Sequence, residues 1–275
     1  MTMATESREG SSDSPYTFAN ASEQAPRRFS ALEALYDPWT IQHLEARGVR
    51  EGWQCLEVGA GAGSIAQWLC GRVGSTGQVL VTDIDTRFLD RLAGPRLAVQ
   101  RHDIVADPLP EAAFDLVHVR LVLHHLPGRE QALRKMVRAL KPGGWIVIEE
   151  FDWISVVPAT APAVPVYSHV QNAVWHLMTE RGTDGFYGRQ LWGRLRAHGL
   201  IDVEAEGRVC MYQGGSPGAE LLLAAVEQVR EPLLRAGSVT EHEIDAYREL
   251  LADPDFALMS AVLMTAWGQR PAPDR

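Results

Sequence analysis

Lysine is nearly missing from this chain. Only Lys135 and Lys141 occur, and the 26 basic side chains are outnumbered by 35 acids, for a net charge of −9. A chain this acidic repels a phosphate backbone, and short basic clusters such as Arg27-Arg28 form no stripe of the kind non-specific nucleic-acid binding requires. A nucleic-acid partner is disfavoured, and a small molecule is expected instead. Cysteine is sparse as well: Cys55, Cys70 and Cys210 are odd in number and lack C-x-x-C spacing. Neither a disulfide framework nor a zinc site is indicated, no metal is expected, and a reducing cytoplasm is the expected compartment. Long apolar runs are absent too. None approaches the ~18 residues of a membrane span, and residues 1–14 carry no apolar signal-peptide core, so no membrane partner is expected. Oligomeric state is left open.

What is present is ordinary globular material, 46% hydrophobic and 22% charged over 275 residues, enough for a core domain with a cap. Residues 1–15 read as a disordered tail. Residues 16–48 read as two helices broken at Asp37-Pro38. Residues 49–153 alternate β-rich and helical runs, the signature of a parallel α/β sheet covered on both faces. The strands fall at 54–58, 78–83, 97–102, 114–119 and 145–150, with helices at 64–70, 86–92 and 129–140 between them. Residues 154–185 read as a helical cap insertion, with 156–181 expected to act as a mobile lid. Residues 186–275 complete the core with further cap helices: a helix at 189–198, a strand at 201–212, helices at 219–236 and 240–251, and a strand at 256–267.

The densest signal is Glu57-Val58-Gly59-Ala60-Gly61-Ala62-Gly63-Ser64, placed where a strand turns into a helix. Alternating glycines let the backbone turn tightly and approach a ligand without a Cβ in the way. Asp83 ends the next strand, at the offset where a carboxylate can accept both hydroxyls of a ribose, the other reading being a helix cap. A dinucleotide loop would need a third glycine where Ser64 stands, so NAD loses ground.

The E-x-G-x-G-x-G rhythm from Glu57 to Gly63 resembles motif I of the class I S-adenosylmethionine-dependent methyltransferases. The likeness continues through Val81-Thr82-Asp83-Ile84-Asp85, Arg101-His102-Asp103-Ile104, Phe114-Asp115-Leu116-Val117, Leu123-His124-His125-Leu126-Pro127 and Leu140-Lys141-Pro142-Gly143-Gly144-Trp145. It implies a Rossmann-like sheet of seven strands, mostly parallel with the last one reversed. It also implies S-adenosyl-L-methionine as cofactor. Glu57, Gly59, Ala60, Gly61 and Gly63 would then cradle it, Asp83 with Ile84 would meet its ribose, and Asp103 with Ile104 its adenine. Asp85 would cap a helix. Tyr16 and Arg28 would close over the methionine end. Arg120 would meet the cofactor carboxylate, or else form an ordinary ion pair. Within the family the resemblance is to small-molecule enzymes of quinone and secondary-metabolite pathways. A natural-product cyclase or rearrangement catalyst on the same fold is the alternative, and a non-catalytic domain the more distant one.

Methyl transfer from a sulfonium is an in-line displacement with a good leaving group, so positioning is expected to count for more than a base. His124 is the candidate if a base is used, the other reading being a capping or packing residue. Glu149, Glu150 and Asp152 end the fifth strand; Glu150 and Asp152 share a face, where one could bind substrate or all could be solvated or ion-paired. Tyr167, Trp175, His176, Tyr187 and Trp192 could line an aromatic substrate chamber, or form the packed core of the cap.

Overall fold

The computed structural model describes residues 17–18, 22–158 and 165–272. The predicted tail at 1–15 and Tyr16 lie outside them, as do 159–164 within the expected lid. Ten strands are present among the described residues: β1 (Gln54–Val58), β2 (Gln78–Asp83), β3 (Leu97–Arg101), β4 (Phe114–Arg120), β5 (Leu140–Asp152), β6 (Val157–Pro158), β7 (Ile201–Arg208), β8 (Met211–Gln213), β9 (Ala257–Met259) and β10 (Val262–Gln269). The helices are α1 (Ala25–Ala46), α2 (Ser64–Arg72), α3 (Arg129–Ala139), α4 (Pro165–Glu180), α5 (Leu191–Ala197), α6 (Pro217–Gln228), α7 (Arg230–Arg235) and α8 (Glu241–Ala252).

Seven strands form one sheet in the order β3-β2-β1-β4-β5-β10-β7, with β1 to β5 parallel and β10 antiparallel to both neighbours. This is the Rossmann-like sheet with a reversed last strand that the motifs imply. Alternation along the strands builds its two faces. Leu56, Val58, Val117, Val119, Ile146 and Ile148 pack with α3 and α5. Their neighbours Cys55, Leu116 and Val147 pack on the other face with Leu44 of α1 and with α2. Strand order reverses between β1 and β4, and there a crevice opens beyond the strands' carboxyl ends. A second body of core joins α4, α6 and α8 to a small sheet ordered β6-β9-β8.

Four boundaries depart from the sequence reading. First, α1 runs unbroken through Pro38. Proline removes one helical hydrogen bond, but its flanks are pinned. Arg120 donates to Asp37 Oδ1 and to Thr40 Oγ1, each at 2.8 Å, and Trp39 Nε1 donates to Thr265 Oγ1 at 3.0 Å. Second, 86–92 yields only a 3₁₀ turn at Asp90–Leu92. The carboxylates of Asp83 and Asp85 take the backbone N–H groups of Asp85 and Arg87, offering the chain a turn in place of a helix. Third, the single strands expected at 201–212 and 256–267 each split. Cys210 and Ser260 hydrogen-bond reciprocally at the break, so both segments leave the large sheet together and continue in the small one. Fourth, the helix expected at 219–236 breaks at Val229, three residues before Pro232.

A buried polar chain fastens α1 to the sheet. His118 of β4 is fully buried, with Nδ1 at 2.7 Å from Glu57 Oε2 and Nε2 at 3.4 Å from Glu149 Oε2. Thr40 donates to Glu149 Oε2, and Thr265 Oγ1 donates to Glu149 Oε1 at 2.8 Å. Burial opposes a charge on His118, but the Glu57 carboxylate and hydrogen bonds to Glu149 and Glu57 outweigh it and raise its pKa to about 9. Burial alone would push the Glu149 carboxyl up; the His118 contacts instead hold it below its ordinary value. A histidine raised in the folded state contributes stability that is complete below its unfolded pKa of 6.5 and is lost as pH climbs through about 9. Thermal unfolding should therefore show Tm falling between roughly pH 7 and pH 10. His118→Gln should lack that alkaline step and lose about 3–5 kcal/mol at neutral pH, because two carboxylates are left buried without their cation. Parallel Tm-against-pH curves for parent and variant would refute the charged triad.

Candidate functional site

The crevice at the β1–β4 reversal is an open cleft of about 1040 Å³. Its floor is the loop after β1. Gly59 and Gly61 hold φ of +66° and +58°, in the left-handed region that L side chains rarely adopt. A Cβ on Gly59 would stand 2.3 Å from Val122, and one on Gly61 2.9 Å from the Phe29 ring. The loop is thus pressed between the β4 exit and α1, with its backbone facing the cleft. Gly63 is different: it does not line the cleft but precedes α2 and packs on Leu89 and Leu92.

The acids predicted from the motifs converge here. Asp83 and Ile84 leave β2, Asp103 and Ile104 follow β3, and Glu57 ends β1, all lining the cleft. Asp83 is buried; its Oδ2 accepts from the Gly61 N–H at 3.3 Å and its Oδ1 from the Asp85 N–H at 3.0 Å. Burial pushes its pKa up, and those N–H bonds partly offset the rise. Asp103 spends Oδ1 on the N–H groups of Val105 and Ala106, at 2.8 and 3.2 Å. Arg28 stands at the wall with its guanidinium over the Phe18 and Phe29 rings. Arg120 lines the cleft too, but its guanidinium is committed to Asp37 and Thr40. The ion pair is present, and the side chain also borders the cleft, as a contact with the cofactor carboxylate would require.

A second, mostly apolar chamber of about 800 Å³ adjoins this cleft, and Arg28, Leu32, Leu121 and His125 border both. The turn after β4 supplies His124 and His125 to it. Glu150, fully buried, accepts from the Val122 and Leu123 N–H groups at 3.2 and 2.6 Å and pairs with His124 Nδ1. Arg129 pins the same turn from outside through the Leu123 and His124 carbonyls. With Nδ1 taken, Nε2 is the imidazole nitrogen left to meet a ligand. Its neighbour His125 has a pKa well below the usual value, chiefly through burial and then through the nearby His124, Arg28 and Arg129.

Several predicted substrate residues lie elsewhere. Glu150 sits behind His124, not on the chamber wall. Tyr167 is buried away from the chamber, its ring stacked on Tyr247 at 5.7 Å. His176 faces solvent on the far side of α4 and pairs with Glu180 at 3.2 Å. Tyr187 is buried under the sheet, Trp192 is exposed, and Asp152 is engaged by Arg189. Only Trp175 of that aromatic group lines the chamber, stacked on Trp153. The sequence reading missed Phe29, Leu32 and Glu33 on the cofactor side. It also missed Tyr36, Phe151, Gln171 and Tyr212 in the chamber. The i, i+4, i+8 spacing of Arg28, Leu32 and Tyr36 on one helical face was the available signal.

The geometry agrees with comparisons to known proteins. A family model described as a methyltransferase domain matches residues 56–148. The ubiquinone/menaquinone biosynthesis C-methyltransferase UbiE of Pseudomonas fluorescens is 31% identical over 223 residues, 70% of this chain and 86% of that protein. The chain belongs to the S-adenosylmethionine-dependent methyltransferases. The UbiE of Laribacter hongkongensis is 37% identical over 139 residues, covering 48% of this chain and 55% of the relative, so that match spans about half of its length. Among solved structures, the YcgJ protein of Bacillus subtilis shares the fold with TM-score 0.57 at 14% identity, covering 86% of this chain and 99% of that one. Phosphoethanolamine N-methyltransferase 2 of Haemonchus contortus, solved with S-adenosyl-L-methionine, aligns with TM-score 0.53 at 18% identity over 86% of this chain and 52% of that one.

The cleft fits that cofactor. Its floor is the glycine loop, and the residues that the resemblance assigns to the ribose, Asp83 and Ile84, and to the adenine, Asp103 and Ile104, all line it. Asp83→Ala should weaken S-adenosylhomocysteine binding by about 1.5–3 kcal/mol, the range for hydrogen bonds to a charged group, and Asp103→Ala should do less. Calorimetry checks this, and equal affinity of parent and the Asp83 variant would remove the ribose assignment.

Proposed function

We propose that the chain transfers a methyl group from S-adenosylmethionine to a small aromatic acceptor of the quinol type. The observation that carries this reading is the junction of the two clefts, with the His124–Glu150 pair beside it. The names of the UbiE relatives support ubiquinone- or menaquinone-like chemistry over secondary metabolism, and C-methylation over transfer to oxygen or nitrogen. In this reading residues 154–158 and 165–185 cap the chamber, 49–153 hold the cofactor, and 186–272 complete the sheet and add further cap helices. Among the described residues no helix is long and apolar enough to cross a membrane.

The bound cofactor supplies an electrophilic methyl group on a sulfonium, so the chain's task is alignment and the handling of one proton. Phe151, Trp175, Val174 and Leu121 give the chamber apolar walls that hold a flat ring and exclude water. Glu150 fixes the His124 tautomer through Nδ1, and Nε2 takes the proton of the acceptor hydroxyl. The oxygen's electron pair then drives the adjacent ring carbon onto the methyl carbon. Carbon–carbon bond formation would displace S-adenosylhomocysteine, and the ring carbon's own proton would pass to that oxygen, leaving one net proton on His124 Nε2. Because Glu150 is wholly buried and spends its other oxygen on two backbone N–H groups, its role is orientation of His124.

Release of S-adenosylhomocysteine across a panel of hydroxylated aromatics tests the reaction. Acceptor conversion without that release would favour a cyclase or rearrangement catalyst. His124→Ala should slow turnover by about 10²–10⁴-fold with partial recovery at high pH, and leave S-adenosylhomocysteine affinity intact. A modest slowing with an unchanged pH profile would reduce His124 to part of the chamber wall.

A further inference from the structure

The chamber has a polar end opposite the His124 end that methyl transfer does not use. Tyr36 of α1 and Tyr212 of β8 line it, and their hydroxyls are hydrogen-bonded to each other. Tyr36 lies one helical turn beyond Leu32, which borders both clefts, so the pair sits on the side remote from the cofactor. Phe151 spans the distance between the two ends. Its ring centroid is 6.2 Å from that of His124 and 5.8 Å from that of Tyr36. Leu221, Leu222, Ala225 and Leu258 give the chamber further apolar wall, with Ser260 and Gln171 as additional polar side chains.

We propose that the Tyr36–Tyr212 hydroxyl pair is a specificity site that binds a second hydroxyl oxygen of the acceptor, across the ring from the one facing His124. The proposal rests on the quinol-acceptor reading above and names the side chains that would select the second oxygen. Two hydroxyls joined by one hydrogen bond retain both donor and acceptor capacity, and a ligand hydroxyl can answer either. Burial raises both phenols, Tyr212 to about 12, so the pair is neutral across the working range and suits a neutral oxygen. Ser260 also borders this end and hydrogen-bonds to Tyr212, so a ligand oxygen is met through the pair's remaining donor or acceptor capacity. A ring lacking the second oxygen would leave this buried pair facing hydrocarbon, where polar groups are costly.

The test is anaerobic calorimetry on the full chain loaded with S-adenosylhomocysteine, using 1,4-dihydroxynaphthalene and 1-naphthol as matched probes. The parent should bind the diol about tenfold more tightly, one neutral hydrogen bond's worth. Tyr212→Phe and Tyr36→Phe should each abolish the preference by weakening the diol, leaving naphthol and S-adenosylhomocysteine affinities in place. Equal affinity of the parent for both probes, binding of neither, or a preference that survives in both variants would overturn the proposal. If one variant fails to fold, the other carries the test. Turnover on the wider aromatic panel is read separately. Transfer to monohydroxylated rings without any diol preference would sink the specificity site while leaving methyl transfer standing; a diol preference in binding without S-adenosylhomocysteine release would do the reverse.

Discussion

Two adjacent carboxylates, Glu149 and Glu150, are fully buried near the end of β5, and much of the site follows from how each is satisfied. Neighbours on a strand point to opposite faces, so the two serve different sides of the sheet. Glu149 faces His118, Thr40 and Thr265 and fastens α1 across the sheet. Glu150 faces the turn after β4, takes two of its N–H groups and orients His124. An ionised carboxylate without such partners would be prohibitive there. The placement of α1 and the geometry of the turn after β4 are therefore both consequences of one dipeptide. Of the two readings of this strand end, solvated or ion-paired, the paired one is found, with His118 and His124 as the partners.

The cofactor cleft was readable because it is assembled from residues that directly follow successive strands. Gly59, Gly61, Asp83 and Asp103 each sit within a few residues of a strand's carboxyl end, and a parallel sheet brings all such ends to one edge. Local pattern and topology then point to the same place. Gly63 was the exception: its spacing matches a ligand loop, while its contacts belong to the packing of α2 on Leu89 and Leu92.

The acceptor chamber was not readable on the same terms. Its walls come from α1, β5, α4, β8, α6 and the approach to β10, joined by contacts between residues far apart in the chain. His118 and Glu57 are 61 positions apart, Tyr36 and Tyr212 176 apart, and no spacing rule links either pair. Aromatic residues near one another in sequence were a poor guide. Tyr167, Trp175 and His176 fall on one helix, yet the helical turn sends only Trp175 into the chamber, Tyr167 into the core and His176 to solvent. What α4 buries is set by α8 and the small sheet, which its own sequence does not describe.

Helix α1 makes the two cavities a single device. Arg28, Phe29, Leu32 and Glu33 wall the cofactor cleft, and Arg28, Leu32 and Tyr36 wall the chamber. Phe29 presses on Gly61, so the floor of one cavity and the wall of the other are held by the same rigid element. Rigidity over its 22 residues needs the interior Pro38 to be tolerated, and the Arg120–Asp37 and Thr40–Glu149 contacts lie on either side of it. Arg120, which lines the cofactor cleft, also fixes this helix through Asp37 and Thr40. Near-attack alignment of two bound molecules depends on their relative placement. A shared wall anchored to the sheet through a buried ionic chain sets that placement before either molecule binds.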